Sequence, residues 1–302
     1  MTRMIIDCDP GLDDAIALIL AHHCAEVVGI TTVSGNVPLA ATTANALMLT
    51  AMLDVPTPVH SGAAGPLVGE PTYAPHVHGE SGMGDFEPPA HDRTVAGDDA
   101  VSYLLDAAAP DVWVAAVGPL TNLALAIERD PEWVKRIAGI SIMGGSTAGG
   151  NVTAAAEFNI YADPEAAVRV FGSGADIVMC GLNLTHQVMT SDALVADLRA
   201  GGAPLERFAA GVFDFLHGVM ADLLGERATA LHDPCAVLSV THPELFELTP
   251  RAVGVEVAGA LTRGMTVVDE RPSHLGPPAN ARVAYRIDAQ RAMALVRESL
   301  RA

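Results

Sequence analysis

The chain has 302 residues, half of them hydrophobic, with a formal charge of -19 at pH 7. That apolar content can bury a large core, and no low-complexity or charge-run linker divides it, so one domain over residues 1–302 is expected. The acidic balance argues against nucleic acid or an anionic membrane as partner, since both are bound with surplus Lys and Arg, and no apolar run approaches the roughly 18 residues of a membrane span.

Met4 to Ile6 reads as a short buried strand. So few apolar residues lie between Arg3 and Asp7 that no secretory h-region is expected, which points to a cytoplasmic protein. Asp7, Asp9, Asp13 and Asp14 then surround a turn at Pro10-Gly11, and from Ala15 a helix follows that is too apolar to lie on a surface. Capping that helix needs one acid, not four. A loop at the carboxyl end of a strand is where open α/β sheets bind ligands. Several carboxylates without a Cys-His set suit Ca2+ or Mg2+ rather than Zn2+. The segment Asp7-Cys8-Asp9-Pro10-Gly11-Leu12-Asp13-Asp14-Ala15 resembles the amino-terminal signature of the nucleoside hydrolases, the calcium-dependent N-ribohydrolases of the inosine-uridine-preferring kind.

The β-branched run Glu26 to Val33 predicts a second strand ending at Ser34-Gly35-Asn36, followed by a helix from about Leu39 to Leu53. By spacing alone Asn36 is a turn residue; the resemblance directs it at a ribose. Residues 61–92 are rich in Gly, Pro and His with little periodicity, which predicts a long loop. Two of its histidines, His76 and His78, read as solvent-exposed by themselves, whereas His78-Gly79-Glu80-Ser81-Gly82 resembles the family's mobile loop near the base, a lid that shuts water out. A helix is expected over Asp99 to Ala109 and a buried strand over Val112 to Val117, with Gly118 to Asn122 turning into the next helix. At that strand's end the resemblance implies that the Val117 carbonyl binds calcium. Trp113 and Trp133 read as core.

Ile140 to Met143 is the next apolar strand, running into a glycine-rich segment that ends at Asn151 and lacks both the Gly-Lys-Ser/Thr of a phosphate loop and a dinucleotide spacing. Glu157 and Asn159 are expected on one side of an extended segment, ahead of a helix capped by Asp163 with Pro164 at its start. Met143, Asn151 and Glu157-Phe158-Asn159 together resemble the family's ribose-binding segment. A strand over Asp176 to Cys180 leads to Leu182 through Gln187, then to helices from Ser191 to Leu224 whose apolar face (Phe208, Val212, Phe215, Leu216, Met220) reads as core. Family members often carry base-contacting tyrosines near the end of this stretch; this chain has no tyrosine between Leu182 and Leu231. His232 and Asp233 by themselves are a local hydrogen bonder and a helix cap, yet His232-Asp233-Pro234-Cys235 matches the family's later motif. Strands over Val253 to Val257, Met265 to Val268 and Arg282 to Ile287, and a helix from Asp288, complete the chain. Cys8, Cys24, Cys180 and Cys235 lack paired or metal-type spacing and read as reduced core thiols.

The expected fold is α/β: a mostly parallel, Rossmann-like sheet flanked by helices, with the active site at the carboxyl ends of the strands. The resemblance implies hydrolysis of the N-glycosidic bond of ribonucleosides to free base and ribose, in a homodimer or homotetramer. It implies that Asp9, Asp14, Asp233 and the Val117 carbonyl hold Ca2+, that Asp9 takes a proton from water, and that Asp13, Asn36 and Asn159 fix the 2′,3′-diol. Asn151 and Glu157 would hold the 5′ side and Met143 would pack on the ribose, with Phe158 and His78 also lining the substrate. His232 would protonate the departing base. A Mg2+ phosphohydrolase with an aspartyl nucleophile would want Thr or Ser soon after the Asp pair, and Pro10-Gly11-Leu12-Asp13 offers neither. A ribose-binding protein without turnover fits the same residues.

Overall fold

A computed structural model describes residues 1–301. Among the described residues ten strands form: β1 (Thr2–Cys8), β2 (Ala25–Thr32), β3 (Val59–Ser61), β4 (Val112–Ala116), β5 (Gly139–Met143), β6 (Ile177–Cys180), β7 (Phe246–Arg251), β8 (Val253–Val255), β9 (Thr266–Val268) and β10 (Ala281–Ile287). Eight of them build one sheet in the order β3-β2-β1-β4-β5-β6-β10-β7. All neighbours in it pair parallel except β10 and β7, so the expected mostly parallel α/β sheet is present.

Period-two alternation sends successive residues to opposite faces, and both faces are covered. Met4, Ile6, Cys8 and Ala115 belong to one core, with helices Leu12–Cys24 and Asp233–Thr241 over them. Ile5, Val112, Val114, Ala116, Ile140 and Ile142 belong to the other. Helix Leu12–Cys24 is buried at every position from Ala15 to Ala21, the outcome its apolar sequence requires. Among the described residues, no helix is long and apolar enough to cross a membrane. All four cysteines are free thiols.

Several elements differ from expectation. Phe246–Arg251 had no strand signal, because its Pro250 breaks the pattern; β7 tolerates the proline because it lies at the sheet's edge. Val253–Val255 and Thr266–Val268 pair only with each other, as an antiparallel ribbon apart from the main sheet. Glu157 and Asn159 do not lie on an extended segment. Phe158–Ala162 is a short helix, and the Glu157 carboxylate caps it by accepting from the N–H groups of Asn159 and Ile160, donors that a helix start otherwise leaves unpaired.

Within the sheet, β1 has β2 on one side and β4 on the other, so strand order reverses between β1 and β4. Crossover helices leave opposite faces there and their loops part, opening a crevice above the strand ends. The acidic loop Asp9–Gly11 follows β1, and Val117-Gly118 follows β4, at that place.

Candidate active site

Asp7, Asp9, Asp14 and Asp233 are buried at this point of reversal, and Asp13 is partly buried. One oxygen from each of Asp13, Asp14 and Asp233 lies within 4.8 Å of the others, a grouping that could hold a metal ion. Each acid is fixed by its surroundings. Asp14 opens helix Leu12–Cys24 and accepts from the backbone N–H groups of Asp9 and Gly11 at 3.2 and 2.9 Å. Asn36 braces two acids: its N–H donates to Asp9 Oδ2 at 2.6 Å and its Nδ2 to Asp14 Oδ2 at 3.0 Å. Asp233 is the first residue of helix Asp233–Thr241, with Pro234 next.

The electrostatics are those of an anionic site short of positive charge. Burial, with Asp13 beside it, pushes Asp14 up to about 8. Burial likewise raises Asp9 and Asp233 well above the ordinary carboxylate range, with Asp14 and Asp13 respectively adding to it. Among the described residues no Lys or Arg pairs with Asp7, Asp9, Asp13, Asp14 or Asp233. Asp7 Oδ2, Asp9 Oδ1 and Asp13 Oδ1 are buried without a hydrogen-bond partner. Asp9 is also cradled: a Cβ on Gly35 would meet its Oδ2 at 2.0 Å, and one on Gly118 its Oδ1 at 2.4 Å. Buried, unpartnered hard oxygens converging from separate elements are the donor set of an oxygen-bound cation.

Around the acids stand two histidines. His78, from the short helix Pro75–His78, is buried and accepts from Leu12 N at 3.2 Å, with Asp13 Oδ1 4.0 Å away. Burial lowers its pKa. His232 precedes Asp233, is partly buried, and meets Thr185 Oγ1 through Nδ1 at 2.8 Å. Burial lowers His232 to about 4, against the opposing pull of Asp13.

The family model for "Inosine-uridine preferring nucleoside hydrolase" matches residues 4–294, nearly the whole chain. The chain belongs to that family. A non-specific ribonucleoside hydrolase, RihC, of Escherichia coli O1:K1 is 43% identical over 295 residues, covering 95% of this chain and 94% of its own. Among solved structures, a plant nucleoside hydrolase, PpNRh1, superposes with TM-score 0.93 at 34% identity, over 100% of this chain and 99% of its own. A purine-preferring ribonucleoside hydrolase from Gardnerella vaginalis gives TM-score 0.93 at 31% identity, over 99% of this chain and 98% of its own. The expected enzyme class therefore stands: a nucleoside hydrolase that splits ribonucleosides into base and ribose.

In this hydrolase the residues singled out in the sequence fall at different distances from the acids. Asp9, Asp13, Asp14, Asn36 and His78 are joined by direct contacts across the β1 loop. Asn159 donates through Nδ2 to the carbonyls of Val117 at 2.9 Å and Met143 at 3.1 Å, tying the ends of β4 and β5 together. The Val117 carbonyl thus already accepts one bond, and a second lone pair remains to it. Glu157, pushed up to about 7 by burial, spends its carboxylate on the N–H groups of Gly145, Asn159 and Ile160. Asn151 is exposed, and its Oδ1 accepts from Phe158 N at 3.0 Å. The carboxylates that converge include Asp13, whereas the ligand set expected from the sequence has Asp9 instead.

Some supporting residues carried no assigned role in the sequence. Asp7 accepts at Oδ1 from Thr31 Oγ1 and from Asn122 Nδ2 at 2.8 Å, while its Oδ2 is buried without a hydrogen-bond partner. Asn122 also donates to Thr32 O at 3.0 Å and accepts from Ala63 N at 2.9 Å, binding the ends of β1, β2 and β3 to the helix after β4. Its position in the first turn of a helix after a buried strand was a usable signal. Thr185 gave none, being one hydroxyl in an apolar segment. Asn45 donates to the carbonyls of Pro10 and Ser81, at 2.9 and 2.8 Å, and so links the acidic loop to the glycine-rich loop that carries His78.

Proposed function

We propose that the hydrolase is calcium-dependent and acts on inosine, uridine or similar ribonucleosides, with residues 1–302 as one catalytic domain. The observation that carries this is the buried carboxylate cluster at the sheet's point of reversal, with Asp9 Oδ1 and Asp13 Oδ1 unpartnered and no basic side chain to neutralise it. Asp9, Asp14, Asp233 and the Val117 carbonyl would hold the ion, with Asp13 close enough to share it. Bound calcium would supply acidification of water and a grip on the sugar diol.

Cleavage of an N-glycosidic bond passes through an oxocarbenium-like sugar, so water must be deprotonated, the ribose cation stabilised and the base protonated. Asp9 suits the deprotonation of water, because one of its oxygens is pinned by Asn36 N and the other is free to take a proton. Asp13, with its unpartnered oxygen, would accept from a sugar hydroxyl, and the anionic cluster as a whole favours positive charge on the ribose. Asn36 and Asn159 would border the diol while bracing the acids and the Val117 carbonyl. Met143, Asn151, Glu157 and Phe158 would line the sugar's 5′ side, Glu157 chiefly by shaping the loop at Gly145. His78 would close over the site from its loop.

His232 would protonate the leaving base. To give up a proton and end as neutral imidazole, His232 would enter the step as imidazolium; burial opposes that charge and Asp13 beside it favours it. Family membership supports a homodimer or homotetramer and a cytoplasmic location.

The test is dialysis against a calcium chelator followed by assay of reducing sugar released from inosine and uridine. Turnover should vanish and return with calcium; full activity in verified metal-free protein would overturn the reading.

A further inference from the structure

Thr185 ends the short helix Leu182–Thr185 after β6 and is fully buried. Its Oγ1 lies 2.8 Å from Nδ1 of His232, 47 residues further along the chain. Among the described residues, that hydroxyl has no other hydrogen bond and Nε2 of His232 has no protein partner. A buried hydroxyl needs an acceptor for its one proton, and Nδ1 is the acceptor present. When the hydroxyl donates to Nδ1, the ring's own proton must sit on Nε2, the nitrogen left free of the protein. The ring is flanked as well: His186, the next residue after Thr185, is exposed and crosses it edge to face, with centroids 5.7 Å apart.

We propose that Thr185 is a positioning residue for departure of the base: its hydroxyl holds the His232 imidazole in the one orientation that turns Nε2 toward the leaving group, donating to Nδ1 of the neutral ring and accepting from Nδ1–H of the imidazolium that gives its Nε2 proton to the base. The proposal rests on the reading that His232 meets that base. A Val at 185 keeps the side chain's shape and removes only the hydroxyl's donor and acceptor, so the ring would lose the bond that fixes its orientation and Nε2 would no longer be held toward the base. Thr185 touches none of the acids, so sugar binding and water activation are left as they were.

The experiment compares Thr185→Val, Thr185→Ser and His232→Ala with the parent enzyme on two substrates. Inosine needs its base protonated to leave; 4-nitrophenyl riboside releases a stable anion that does not. Thr185→Val should lose about 10- to 100-fold in kcat on inosine, as when outer partners that orient a histidine are removed, and less than about threefold on the nitrophenyl riboside. Thr185→Ser, which keeps the hydroxyl, should restore inosine turnover to within about threefold of the parent. Equal losses on both substrates, or failure of Ser to rescue, would overturn the positioning role. Selective damage by His232→Ala with a fully active Thr185→Val would also overturn it, while leaving the role of His232 intact. If His232→Ala itself shows no selectivity between the substrates, the reading beneath the proposal falls, and the proposal with it.

Discussion

Asn122→Leu removes a side chain of similar volume from a fully buried position and deletes three hydrogen bonds together. The Ala63 N–H loses its side-chain acceptor, Thr32 O loses a donor, and Asp7 keeps only the bond from Thr31. Each buried polar group left unpaired costs about 1–3 kcal/mol, so the total should fall at roughly 3–6 kcal/mol because Asp7 is only half stripped. That is a large share of the 5–15 kcal/mol that ordinarily separates native from unfolded protein. Equilibrium urea unfolding should show a lower midpoint at unchanged slope. Activity should also fall under conditions where the variant remains folded, because Asn122 ties together the strand ends that carry the acidic loop and Ser34-Gly35-Asn36. Asn122→Asp would keep the acceptor for Ala63 N but set a second carboxylate against Asp7, so its deficit should deepen as pH rises. A stability loss below about 1 kcal/mol for Asn122→Leu would refute the view that this one amide holds the strand ends in place.

Asp9→Ala should lower kcat by about 10²- to 10⁴-fold with a much smaller change in KM, since a general base acts mainly in the transition state; near-parental kcat at full metal content would make Asp9 structural. In metal-free protein, burial raises Asp7 and Glu157 to about 7 and Asp14 to about 8. The native state therefore binds more protons than the unfolded chain, and stability should fall as pH rises from about 4 to 8. Calcium should flatten that slope, and thermal melts at several pH values, with and without the ion, would show a rise instead if the acids were not buried as a group. Inosine should be preferred over 2′-deoxyinosine by up to about 10⁴-fold in kcat/KM, because a site built around a hydroxyl leaves polar groups unpaired without it; equal values would remove the diol from the mechanism.

The short apolar runs of β1, β4, β5 and β6 made the buried parallel sheet legible, and the acidic run at residues 7–14 named the functional edge. Local chemistry suffices there, because apolar runs and carboxylate density are properties of a few consecutive residues. It also misled locally. Glu157 and Asn159 suit an extended pair by spacing, but backbone N–H groups that reach the Glu157 carboxylate turned the segment into a capped helix. β7 stayed hidden because its place depends on pairing with β10, to which nothing in Phe246–Arg251 points.

What the sequence alone determined, then, was the fold class, the family's motifs and the hard-oxygen character of the site. Tertiary structure decided which acids converge and what holds each of them. Asp7 and Asp9 stand two residues apart with the same side chain and each keeps one oxygen without a partner, yet Thr31 and Asn122 hold the other oxygen of Asp7 while Asn36 N–H holds that of Asp9. Thr185 and His232, 47 residues apart, meet only because β6 and helix Asp233–Thr241 pack together. Hydrogen-bond partners at such separations are set by how the elements pack, and no period or spacing along the chain encodes them.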